Sequence, residues 1–251
     1  MQIFRDRRFH SSEMAINLDK GRSAIIRNAH GIAKQRDTDP TLLSIMDWIH
    51  SYVSRPHPEL GRSGVVCPYV PPSLRIGSLW IAVVDNEAPI SSVNEICEIL
   101  RRFLIAYESL EPLEGESLEL KALIIVMDSI PVAMSGDLVR RAHAVMKPEV
   151  VNKGLMLGEF FPGNRSPGLH NPAFFPLMSP MPLFIFRQMV INDVAFLNKA
   201  SDPPALRVGF LTSYLSRFAN KLPEEKRTEA AHALERAQFE VGSEMSADRS
   251  G

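Results

Sequence analysis

Apolar residues along this chain follow two rhythms, and the alternation between them predicts the architecture. Leu42, Leu43, Met46, Ile49, His50 and Val53 recur at helical spacing after Asp39-Pro40, which predicts a helix over about 40–53. Apolar runs at 78–84 (SLWIAVV), 122–127 (ALIIVM), 155–161 and 183–186 (LFIF) read as buried strands. Between the first two, Val93, Ile96, Leu100, Phe103, Leu104 and Tyr107 form one stripe on a helix that Ser91 or Ser92 can cap. Cys97 falls on the same stripe and reads as core. Further helices are predicted over about 136–146, from Pro203 to about Ala219 with Asp202 as cap, and over 223–239. The expected fold class is α/β or α+β: one domain over 41–240 with a central, mostly buried sheet, flanking helices and a helical C-terminus. Residues 1–40 are polar and aperiodic and read as an arm, and 241–251 read as a disordered tail.

Composition removes several function classes. With 28 Lys+Arg against 29 Asp+Glu the net charge is −1, which argues against a general nucleic-acid binder, since phosphate contacts need a cationic surplus. No apolar stretch approaches the roughly 20 residues of a membrane helix, and the opening MQIFRDRRFHSSEM is too polar for a secretory signal. Two cysteines cannot build a disulfide framework, so a cytoplasmic location is expected.

The short motifs of phosphate, dinucleotide, zinc-protease and serine-hydrolase sites are absent from the sequence. Two long irregular segments carry the candidate chemistry instead, Pro56–Ser73 and Pro162–Pro182. The first holds His57, Arg62, Cys67 and Tyr69. Cys67-Pro68 reads either as an inert buried thiol or as a thiolate ligand for iron. His57 lies between prolines, as a turn residue or a cofactor contact, and Arg62 is either solvated or a bidentate carboxylate grip. The second segment holds Asn164, Arg165, His170 and Asn171, with His170 either structural or a metal ligand. Arg187, in the apolar run LFIFRQM, requires a partner: a substrate carboxylate, a haem propionate or an acid such as Asp193. Glu159 in LGEFF is a base or an arginine partner. His143 has a helical setting that calls for no special role. The two loops are expected to face each other across one end of the sheet, forming one pocket into which Arg187 reaches.

Two stretches, PHPELGRSGVVCPYVPPSLRIGSLWIA and GLMLGEFFPGNRSPGLHNPAFFPLMSPMPLFIFRQMVINDVAFL, are similar to signatures of an uncharacterised bacterial domain family encoded among specialised-metabolite genes. Their order resembles, distantly, the YqcI/YcgG-like proteins, some of which are haem-dependent oxygenases that hydroxylate amino-acid nitrogen. That resemblance implies haem between the sheet and the irregular segments. It also implies an oxidoreductase acting on an amino-acid nitrogen, such as the arginine guanidine, by N-hydroxylation or a following N–N bond-forming step in siderophore or related biosynthesis. Where that family carries His-Pro, this chain reads Phe161-Pro162, so the expected iron ligand is His170, with Cys67 the alternative. His57 and Arg165 would then contact the cofactor, and Arg62 and Arg187 would serve catalysis. The other readings are an enzyme of the same fold without metal and a non-catalytic partner that has lost the ligand. The expected partner is a small amino-acid-derived substrate rather than nucleic acid or membrane, with a homodimer as the candidate assembly.

Overall fold

The computed structural model describes residues 13–18, 21–32, 39–85 and 88–248. In chain order they form β1 (Glu13–Asn17), β2 (Ser23–Asn28), α1 (Ala29–Ile32), α2 (Pro40–Trp48), α3 (Val70–Ile76), β3 (Leu79–Val84), α4 (Val93–Ser109), β4 (Ala122–Val126), α5 (Val132–Asn152), β5 (Leu155–Phe160), β6 (Leu183–Gln188), α6 (Val194–Leu197), α7 (Pro204–Phe218) and α8 (Glu224–Asp248). The strands make one sheet in the order β1-β2-β3-β4-β6-β5. Only β3 and β4 run parallel, joined through α4, and the remaining pairs are antiparallel. This mixed sheet makes the fold α+β, as the apolar runs and helical stripes predict.

Side-chain alternation along each strand gives the sheet two apolar faces. Trp80, Ala82, Leu123, Ile125, Phe184, Phe186, Leu155 and Leu157 lie beneath α4 and α5, against Ile96, Leu100, Phe103 and Val139. Leu79, Ile81, Ile124, Val126 and Leu183 point the other way, beneath Leu42, Ile45, Trp48 and Ile49 of α2 and the turn after it. A third cluster docks α7 and α8 through Phe210, Tyr214, Phe218 and Ala230 on Met156 and Met189. Cys97 is buried in the first cluster, as its stripe position implies.

Several local expectations change. The N-terminal arm contributes β1 and β2, whose inward residues Ala24 and Ile26 join the core while Glu13, Ala15, Asn17, Ser23 and Ile25 stay exposed. Residues 1–12, 19–20 and 33–38 of that arm lie outside the described residues. The Pro-rich stretch after Cys67 closes into α3, because Pro71 and Pro72 occupy its first turn, where no N–H is needed. Helix α5 continues through Pro148 to Asn152, with Val150 and Val151 fully buried, so packing holds the turn that proline weakens. Asp202 does not cap α7 with its side chain; it pairs with Lys147 at 2.8 Å instead. The tail extends α8 as far as Asp248, and 249–251 lie outside the described residues. Along α2 and the turn that follows it, Leu43 and His50 face outward, while Ile45 and Trp48 are buried in their place.

Candidate functional site

The helix begun by α2 does not close normally. Asp39 caps it by accepting from the Thr41 and Leu42 amides, and after Trp48 it widens into a π-helical turn over Ile49–Val53. Turns of this type cluster at functional sites, because one extra residue per turn redirects the side chains that follow. Here the redirected residue is Tyr52. Its hydroxyl is buried without a hydrogen-bond partner among the described residues, as is the Ser54 hydroxyl, and burial raises the Tyr52 pKa. A buried hydroxyl left in this way costs stability, and it needs an explanation.

Around Tyr52 lies an aromatic cluster drawn from four segments. Its ring is 6.3 Å from Trp48 in a stacked arrangement, 6.1 Å from His57 and 6.4 Å from Phe174. Trp48 also meets Phe160 edge-on at 5.7 Å, and His57 lies 4.6 Å from Phe174. The two long loops therefore do meet. Asn171 Nδ2 donates to the Glu59 carbonyl at 2.8 Å, and Gly61 abuts the His170 backbone so closely that a Cβ there would sit 2.8 Å from its carbonyl oxygen. Trp48 Nε1 donates to the Met178 carbonyl at 3.2 Å. The meeting place is the sheet face under α2, to which Phe160, Cys67 and Met181 also pack, beside the end of the sheet where β5 stops and β6 begins.

The candidate residues divide around this cluster. His57 belongs to it: Nδ1 accepts the Glu59 amide at 3.2 Å, so a neutral ring carries its proton on Nε2, which has no partner among the described residues. Arg62 is held by its own loop, donating to the Ser63 and Val66 carbonyls at 2.9 and 3.0 Å. Arg187 forms the structural pair that its strand position requires. Both terminal nitrogens reach Asp193, at 2.7 and 2.6 Å, and Asp193 also accepts the Val190 amide. Burial works against the Arg187 charge, the bonds to Asp193 more than offset it, and its pKa is raised. Cys67 is half-buried on the same face, its amide bonded to the Val53 carbonyl, near enough to Arg187 to act on its charge. Arg165 and His170 are exposed, Arg165 lying 5.9 Å from the Phe175 ring.

His57 is not set up as an axial haem ligand. An axial imidazole must offer an unprotonated Nε2, whereas the Glu59 amide fixes the opposite tautomer of neutral His57, and Phe174 covers its ring. His170 is exposed, and Cys67 is half-buried near the engaged Arg187. Among the described residues, no group of three His, Cys, Asp or Glu converges to hold a metal ion either.

A second cluster lies on the opposite face of edge strand β5. Glu159 points at α5, its Oε2 buried without a hydrogen bond and 3.8 Å from His143 Nδ1. His143 Nε2 lies 3.0 Å from the Leu157 carbonyl and donates to it in the neutral ring. Burial pushes the Glu159 carboxyl up to about 7, against the pull of Arg140, Lys199 and Lys147. Burial likewise pushes His143 down to about 4, although the Leu157 hydrogen bond opposes that shift. The helical reading of His143 did not anticipate this pairing.

No helix among the described residues is long and apolar enough to cross a membrane. No curated protein and no solved structure matches the chain. A family described as a domain of unknown function (DUF6875) matches residues 42–229, which span both loops and β3 through β6, and the chain belongs to that family.

Proposed function

We propose that the protein binds a small, flat, uncharged molecule on the aromatic cluster between the two loops, the metal-free reading of this fold. The observation that carries it is the buried Tyr52 hydroxyl without a partner, set among Trp48, His57 and Phe174. Tyr52 Oη and the protonated His57 Nε2 supply hydrogen bonds, while the ring faces supply stacking area. Charge does not select the ligand here, because the nearby cations Arg55, Arg62 and Arg187 are engaged by the protein itself. Heteroaromatic rings and planar amides with acceptor atoms are the chemical class this surface suits. An amino-acid-derived substrate would enter by such a planar group, and a proton on Tyr52 or His57 is available to a reaction at its acceptor atom.

Trp48 reports on the cluster. Titration with nicotinamide and with adenine should quench its fluorescence saturably, with the Trp48→Phe variant as blank. Tyr52→Phe should weaken binding about fivefold, the value of one hydrogen bond of about 1 kcal/mol. Absence of quenching by both compounds, or equal affinity in Tyr52→Phe, would overturn the reading. Haem-dependent oxidation of an amino-acid nitrogen is the rival, and a stoichiometric Soret band on adding haemin would favour it.

A further inference from the structure

We propose that the surface where β5 meets α5 is a separate binding site for a small oxyanion, carboxylate or phosphate, in which Glu159 takes up a proton as the anion arrives. The charges facing Glu159 come from α5, which provides Arg140, His143 and Lys147, and from the segment after α6, which provides Lys199 and Asp202. Lys147 and Asp202 neutralise each other at 2.8 Å. Arg140 and Lys199 are held differently. Arg140 lies over the Phe161 ring at 4.9 Å and Lys199 over the Phe196 ring at 5.7 Å, and neither has a carboxylate ion-pair partner among the described residues. Aromatic faces position both cations while leaving their N–H donors open.

Glu159 does not satisfy them. Its Oε2 is buried and unbonded, and with a pKa near 7 the carboxyl is only about half ionised at neutral pH. His143 stays neutral there, its pKa held low. The site therefore carries an excess of positive charge beside a group able to give up its negative charge. The Glu159 and His143 side chains keep 18% and 20% of their surface exposed, so solvent reaches the pair. An oxyanion placed between Arg140 and Lys199 would repel ionised Glu159, raise its pKa and protonate it. The neutral carboxyl then becomes a hydrogen-bond donor to the bound oxygen.

The experiment is calorimetry on the full chain at pH 7, in two buffers of different ionisation heat. Sulfate stands for phosphate without titrating near neutrality, and succinate tests carboxylates. The expected result is binding of one of them with uptake of up to about half a proton, the fraction that Glu159 can still accept. Glu159→Gln should keep or tighten binding and abolish the uptake, while Arg140→Gln and Lys199→Gln should each weaken binding tenfold or more. Circular dichroism confirms that each variant is folded. The proposal is overturned if neither oxyanion binds, if uptake persists in Glu159→Gln, or if both cation variants bind like the parent.

Discussion

The Glu159–His143 pair makes a prediction about stability that needs no ligand. The carboxyl moves from an ordinary 4.5 to about 7 on folding, so between those pH values the folded chain holds the extra proton. Stability then falls as pH rises, and the loss is complete above about pH 7. At about 1.4 kcal/mol per unit this amounts to roughly 3 kcal/mol. His143 moves from 6.5 to about 4, so the folded chain refuses a proton that the unfolded chain binds. Its contribution has the opposite sign: stability is whole above about pH 6.5 and falls by roughly 3 kcal/mol as pH drops through 4. Between about pH 4.5 and 6.5 the two slopes oppose each other and nearly cancel. Each variant should therefore expose the slope of the residue that remains. Glu159→Gln should lose about 1.4 kcal/mol per unit as pH falls from 6.5 to 4, and at pH 8 it should exceed the parent by roughly 3 kcal/mol. His143→Gln, which can keep a donor toward Leu157, should lose stability at the same rate as pH rises from 4.5 to 7. Urea unfolding followed by circular dichroism at half-unit steps gives these curves, and taking differences from the parent removes the other titrating groups. Parallel curves for Glu159→Gln and the parent from pH 4 to 8 would show that Glu159 titrates as in the unfolded chain, and the argument would fail.

Other predictions follow from single contacts. Tyr52→Phe removes a buried hydroxyl that has no partner and should raise stability by about 1 kcal/mol, read as a higher urea midpoint. Gly61→Ala combines a left-handed φ of +75° with a Cβ 2.8 Å from the His170 carbonyl oxygen. It should cost about 2 kcal/mol and loosen the contact between the loops. Gly64→Ala, whose φ is +91° with only the Arg62 side chain nearby, should cost less, and equal losses in thermal unfolding would contradict the loop contact. Asp193→Ala leaves Arg187 without its acid and should cost about 3 kcal/mol, whereas ordinary stability would mean that the pair is incidental. Truncation after Gly242 removes the last residues of α8, among them the exposed Ser243, Glu244 and Ser246, and should shift the melting temperature by less than about 4 °C.

What could be read from the sequence divides along a physical line. The four apolar strands were legible because both of their faces are buried, so no polar alternation interrupts the runs. The amphipathic α4 was legible because one stripe is buried and the other solvated. Strands β1 and β2 were hidden because polar Glu13, Asn17 and Ser23 stand on their outward positions and because they sit toward the open edge of the sheet. Arg187 was legible as a residue needing an acid, and Asp193, six positions on, was among the acids its strand position allowed. Tyr52 was not, since the stripe drawn through α2 followed 3.6-residue spacing and the π-helical turn breaks that spacing at Ile49. Trp48 and Tyr52, four residues apart, are the signal that an aromatic reading of the same helix would have used.

The Glu159–His143 contact had a geometric signal too. Helix α5 returns directly into β5 through the turn at Lys153–Gly154, so chain rise fixes which residues come level across the turn. Glu159 stands five positions beyond Gly154, roughly 16 Å along a strand rising about 3.3 Å per residue. The same 16 Å along a helix rising 1.5 Å per residue is about 11 positions, which leads back to His143. Strand alternation supplies the second condition: Glu159 and Phe161 point toward α5, while Phe160 points to the aromatic cluster on the other face. Three consecutive residues thus serve two different sites, and Phe161, standing where His-Pro was expected, packs beneath Arg140 in the charged one. Substitution at Phe161 should therefore change oxyanion binding at Glu159 before it affects Trp48 fluorescence. Phe161→Leu, which keeps apolar bulk but removes the ring face that positions Arg140, should weaken sulfate or succinate several-fold and leave nicotinamide quenching unchanged. The reverse pattern would mean that position 161 belongs to the aromatic site, and the separation of the two sites by β5 would be lost.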